Sequence, residues 1–190
     1  MADHDYIIPA EGRSLLASLL GRKLKCIEGY RYDLKPVEGK TTFYAVARLH
    51  MEDGESYDLR IKLVRIDIVE GFWDDAGAYS FQRAEGDIWL PEGIEPFKLP
   101  INREIDGAFL VNDYDVLKHG GKKEGAFAFT KAVVLRTGLD HIVFSVDDFS
   151  EDAIVVRRGF DPVELVPDGS GSWYDEPGWS DEYERKIEAL

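Results

Sequence analysis

The sequence predicts a mainly β, α+β fold: a bent antiparallel sheet or partly open barrel with a short helix at each terminus. Three observations lead there. Apolar and polar residues alternate over several segments, most cleanly from Thr41 to Met51 and from Tyr57 onward. Turn sequences punctuate these segments: Asp53-Gly54, Gly120-Gly121 and the run Thr137 to Asp140. Few helical segments lie between them, so successive strands join as hairpins and the sheet is antiparallel.

Residues 11–20 form the first predicted helix. Leu15, Leu16, Leu19 and Leu20 fall on one face, and Gly21 stands where a helix ends. Lys23 to Asp33 reads as a strand carrying Leu24, Cys26, Tyr30 and Tyr32, and Pro36 and Gly39 mark a loop. Thr41 to Met51 reads as one strand, with Phe43, Ala45, Ala47, Leu49 and Met51 opposite Tyr44, Val46, Arg48 and His50. The return strand runs from Tyr57 to about Val69. Its apolar phase passes from Tyr57, Leu59, Ile61 and Leu63 to Val64, Ile66 and Ile68. A slip of one residue is what a β-bulge produces, so a bulge is expected at Leu63-Val64, with Ile61 and Val64 both inward.

Residues 70–107 hold large aromatics among Gly71, Gly77, Gly86, Pro91, Gly93, Pro96 and Pro100. Such prolines exclude a long helix and confine any strand to an edge. Short strands fit at 78–83 and 87–90, with an ordered loop around them. Further strands are expected at Gly107–Asn112, Ala126–Thr137, His141–Val146 and Ala153–Arg158. Residues 167–180 read as a linker. Asp181 to Ala189 reads as a terminal helix, capped by Ser180, with Asp181 and Glu182 at its positive end and Arg185 and Lys186 at its far end. Residues 1–166 are thus expected to form one β domain, and 167–190 an acidic, aromatic-containing linker and helix docked on it. The expected core contains Leu15, Leu19, Phe43, Leu49, Ile61, Ile66, Phe127, Val133, Val143 and Val155.

Composition narrows the function. Hydrophobic residues make up 44% of the chain and aromatics 12%, enough for a sizeable core. No apolar run approaches the roughly 20 residues that span a bilayer, so no membrane role is expected. Met1 to Tyr6 holds two Asp and no Lys or Arg, unlike a secretory leader. A single cysteine, Cys26, has apolar neighbours Leu24 and Ile27 and reads as a buried thiol in a strand. These features point to a reducing, cytoplasmic setting. The net charge of −14 divides as −1 over residues 1–70, −6 over 71–150 and −7 over 151–190. Such a chain repels nucleic-acid phosphates and attracts a basic protein.

Catalytic motifs are missing. The chain has no G-x-S-x-G elbow, no phosphate-binding loop and no dinucleotide fingerprint. Gly120 to Gly125 is a turn with solvated lysines. His50, His119 and His141 stand apart at spacings that suit no zinc site. No catalytic residue, metal or cofactor is therefore expected. Carboxylates are the abundant functional group: Asp147, Asp148, Glu151 and Asp152 cluster between two strands, without the spacing of a calcium loop, and Asp113 and Asp115 flank Tyr114. From Asp161 to Leu190 nine acids accompany two bases and the aromatics Trp173, Tyr174, Trp179 and Tyr183. The expected function is non-enzymatic: an acidic binding protein that neutralises a basic protein partner, as immunity proteins and antitoxins do. Its expected contacts are Asp147, Asp148, Glu151, Asp152, Trp173, Tyr174 and Trp179. The alternative is a small enzyme or ligand-binding β-barrel whose cavity is lined by the aromatics of residues 72–89.

Overall fold

The computed structural model describes residues 4–32, 39–69, 72–146, 152–166 and 177–190, with backbone alone for 66–69, 72–75 and 163. The chain opens with β1 (His4–Tyr6) and α1 (Ala10–Ala17). Then follow β2 (Lys23–Gly29), β3 (Lys40–Tyr44), β4 (Val46–Met51), β5 (Ser56–Val69), β6 (Phe72–Arg83) and β7 (Phe97–Glu104). The second half contains β8 (Gly107–His119), β9 (Lys122–Thr137), β10 (Asp140–Val146), β11 (Ala153–Gly159), α2 (Pro162–Leu165) and β12 (Trp179–Ala189). The small sheet has the order β6-β5-β4-β2-β7, and the large sheet β12-β8-β9-β10-β11-β3. Pairing is antiparallel throughout except that β1 joins β9 in parallel. The fold is mainly β, as expected, but the two sheets do not close into a barrel. No described helix is long and apolar enough to cross a membrane.

Turn chemistry accounts for the hairpins. Gly120 and Gly121 both have positive φ, 58° and 79°, and join β8 to β9 in the turn that suits the twist of paired strands. Pro100 lies within β7, which is an edge strand, where a missing N–H is tolerated. The N-terminal segment is tied down by a buried chain of hydrogen bonds: the Ile8 N–H donates to Thr130 Oγ1, which donates to Asn112 Oδ1, both at 2.9 Å.

Several expectations are corrected. The C-terminal segment is not a helix. It is β12, paired antiparallel with β8 from Trp179 opposite His119 to Ala189 opposite Phe109. The less exposed of its two phases includes Asp181 and Arg185, and Arg185 is neutralised by Asp113 through two hydrogen bonds of 2.7 and 2.8 Å. A paired charge there hides the two-residue period. Thr41 to Met51 is not one strand but two, broken at Ala45, whose φ is 56°. No bulge occurs at Leu63-Val64, which lie opposite Gly77 and Ala76 in an unbroken ladder; the register shifts between Asp67 and Val69 instead. Pairing of β5 with β4 stops at Arg60, so beyond it β5 and β6 form a two-stranded ribbon lying against β9, with Ala76 packed on Phe127, and Leu63 is exposed. The short strand at 78–83 is the end of a longer one, residues 87–90 are not a strand, and β7 was not expected.

The core lies between the sheets. Leu110, Val133, Leu135, Ile142, Phe144, Ile154 and Val156 of the large sheet meet Leu24, Ile27, Leu49, Tyr57, Leu59 and Ile61 of the small one, and Leu16 and Leu19 close one end. Of the predicted core, Leu19, Phe43, Leu49, Ile61, Phe127, Val133, Val143 and Val155 are buried, and Leu15 is half-buried against it. The Ile66 side chain is outside the described residues. Gly29 leaves no room for a side chain: a Cβ there would come 2.6 Å from Phe43 and 2.7 Å from the Val46 carbonyl. Two outcomes are expected in urea unfolding. Phe144→Ala should lose about 3–5 kcal/mol of stability through lost burial and the cavity left behind. Gly29→Ala should lose about 1–3 kcal/mol through overpacking, and an unchanged midpoint in either variant would contradict this packing.

Candidate functional site

Four aromatic side chains meet at the seam between the sheets. The segment after β2 pairs with β3: the Tyr44 N–H donates to the Tyr30 carbonyl and the Tyr32 N–H to the Thr42 carbonyl, both at 2.9 Å. Arg31 bridges Phe43. Phe43 faces the core, so Tyr30, Tyr32 and Tyr44, which alternate with that pair, share the other face. Around Tyr44 the ring centroids of Tyr30, Tyr32 and Trp89 lie at 6.2, 6.1 and 6.2 Å, and Trp89 stands edge-on to Tyr30 at 6.4 Å. Trp89 is 67% exposed and Tyr32 46%. The patch carries an acid. Asp152, at the start of β11, accepts the Ala45 N–H on its carbonyl at 2.8 Å. Its carboxylate accepts the Tyr44 hydroxyl, a bond that raises the phenol above its ordinary pKa.

A cross-strand ionic row, buried at Arg48 and Asp58, ties down the segment that leads to Trp89. Cross-strand register lines up Lys98, Glu28, Arg48 and Asp58 across β7, β2, β4 and β5. Asp58 is fully buried and takes 2.7 and 3.1 Å hydrogen bonds from Arg48 and one of 2.6 Å from Arg60. Burial pushes its carboxyl up, but the two guanidinium groups together outweigh that and hold it below the usual value. The Arg48 Nη1 donates to the Gly86 carbonyl at 2.9 Å and so fixes the segment that delivers Trp89.

Asp152 and Trp179 are the described members of the predicted contact set; Asp147, Asp148, Glu151, Trp173 and Tyr174 are outside the described residues. Trp179 opens β12 and stacks on His119 at 4.8 Å, with β8, β9 and β10 between it and the strand that Asp152 begins. Of the aromatics of residues 72–89, Tyr79 and Phe81 are core residues and Trp89 is on the surface, while the Phe72 and Trp73 side chains are outside the described residues. Cys26 lies in β2 but is half-buried, its thiol raised chiefly by burial. His50 bridges Glu28 and Ser56, with Ser56 Oγ 2.9 Å from Nδ1 and Glu28 on Nε2. That chain lies across paired strands whose backbone N–H groups serve the ladders, so it offers no oxyanion site and reads as a cross-strand tie. No described group of acids, histidines and cysteine could hold a metal. The aromatic patch was missed from sequence, although Tyr30, Tyr32 and Tyr44 in neighbouring strands were its signal.

Comparisons with protein-family models, with characterised proteins and with solved structures found no match to this chain.

The buried row predicts a pH dependence. Asp58 has a lowered pKa in the fold, so its ionic contribution is complete above the unfolded value of about 4 and is lost as the pH falls through the folded value. Asp58→Asn should lower stability at neutral pH by about 3 kcal/mol, because the buried Arg48 and the partly exposed Arg60 lose their carboxylate. It should also flatten the acid limb of the stability curve below about pH 4. An acid limb as steep as the wild type's would remove Asp58 from the account.

Proposed function

We propose that the chain is an acidic, non-enzymatic binding protein that neutralises a basic protein partner, in the manner of immunity proteins and antitoxins. The observation that carries this reading is the exposed cluster of Tyr30, Tyr32, Tyr44 and Trp89 with Asp152 among them. Aromatic faces attract guanidinium and ammonium groups through their quadrupoles, and the attraction grows when water is excluded. A neighbouring carboxylate adds a charged acceptor for the same cation. The net charge of −14 contributes at longer range by steering a positive surface toward the chain. Asp147, Asp148 and Glu151 precede Asp152 closely in sequence and extend its charge. Trp173, Tyr174 and Trp179 belong to the same proposal as further aromatic contacts.

Charge alone would bind any polycation, so the test must separate the aromatic patch from the overall field. An arginine-rich peptide is the probe, with a glutamate-rich peptide of equal length as control, followed by calorimetry at low and high salt. Trp89→Ala should weaken arginine-peptide binding about 10- to 30-fold, as the loss of an interfacial aromatic does. Trp89 is mostly exposed, so the fold should survive. Equal affinities for wild type and Trp89→Ala would show that the patch is not the contact.

A further inference from the structure

The outer face of the large sheet ends in an apolar cleft of about 130 Å³. Register builds its floor: Phe109 lies opposite Val134, and Val111 lies opposite Ile187 on β12. Helix α2 packs on β10 and β11, so Pro162 and Val166 form one wall and Ile187 the other. The size is close to that of a cavity of about 150 Å³ that accepts benzene, so a ring edge fits it. Beside the cleft stand large side chains that the fold leaves in water. Leu139 is 83% exposed and Phe160 76%, while Ile187 on the cleft wall is 57% exposed. They are neighbours: His141, which lines the cleft, pairs with Gly159, and its Nδ1–H donates to the Phe160 carbonyl at 3.0 Å. A ring-sized hollow and a projecting ring therefore occur at the same end of the same chain.

We propose that two copies of the chain associate through this end of the large sheet, the Phe160 ring of each seated in the cleft of the other. Knob and hollow on one surface are what a two-fold, self-complementary interface requires, and such an interface closes at two copies. The chain as a whole carries −14, which opposes self-association. On the sheet side of the cleft Arg136 is paired with Asp106 and Arg185 with Asp113, each at 2.7 Å, while Asp161 and Glu164 carry negative charge on the α2 side. Apolar contact is therefore the driving force, acting against the charge. The geometry also separates this interface from the aromatic patch. Asp152 and Phe160 flank the extended strand β11, which places them about 26 Å apart at roughly 3.3 Å per residue. Joined at the Phe160 end, the pair keeps both patches free.

Sedimentation velocity across a range of concentrations tests this on the full chain. A chain of 21.5 kDa should give a species of twice that mass as concentration rises. Phe160→Ser and Ile187→Glu alter exposed side chains, and circular dichroism should confirm an intact fold for both. Each should raise the dissociation constant by about tenfold or more. A wild type that sediments as one chain at every concentration would overturn the proposal. So would a two-chain species that either variant leaves unchanged.

Discussion

The architecture turns on the peptide at Ala45. Here one run of alternating sequence leaves the large sheet as β3 and enters the small sheet as β4. The residue takes a left-handed φ of 56°, a conformation that costs an L-residue roughly 1 kcal/mol. Bonds on both sides hold it there: its N–H donates to the Asp152 carbonyl at 2.8 Å, and its carbonyl accepts from the Ile61 N–H at 2.9 Å. One residue is thus anchored to β5 of the small sheet and to the entry of β11 in the large one. With this junction fixed, Phe43 points into the core and Tyr44 out of it. The core between the sheets and the aromatic patch at their seam follow from the same peptide.

Packing and charge have separate roles around that seam. Apolar residues fill the space between the sheets, while the outer face of the small sheet carries ions in register, Lys98, Glu28, Arg48 and Asp58. The buried pair among them, Arg48 and Asp58, contributes little net stability once desolvation is subtracted. Its value lies in direction. Arg48 has a fixed carboxylate on one side and the Gly86 carbonyl on the other, so the segment bearing Trp89 has a defined place over Tyr30 and Tyr44. A contact surface made of large rings gains from such order, because less side-chain freedom remains to be lost on binding.

Much of the β structure was legible in the sequence. Alternation located β4, β5, β9, β10 and β11, and glycine-containing turn sequences located the hairpins, because both signals are local. What failed was non-local. Nothing in the sequence between Tyr44 and Val46 shows that the chain changes sheets, since an alanine is ordinary in either strand. Tyr183 and Ile187 fit a helical stripe as well as they fit β12; the strand is selected by its pairing with β8 and by Asp113 receiving Arg185. The phase change after Leu63 in the sequence corresponds to no register shift there: the ladder with β6 runs unbroken through Leu63 and Val64, and β5 has already lost its neighbour β4 after Arg60. The acidic site could be read only in part, because Asp152 gains its meaning from tyrosines more than a hundred residues earlier.

The placement of β12 also bears on how the protein avoids aggregation. An open sheet offers unpaired backbone groups along its edges, and these can template strand addition between molecules. Each edge here is blunted differently: β7 carries a proline, α1 lies against the β6 backbone at Phe81, and β3 is short. The edge of the large sheet is β12, which places Asp181, Glu182, Glu184, Arg185, Lys186 and Glu188 along eleven residues. Behind it lies β8, long and largely buried. A chain shortened ahead of Trp179 would present β8 as a bare, mostly apolar edge, the kind of surface from which fibrils grow.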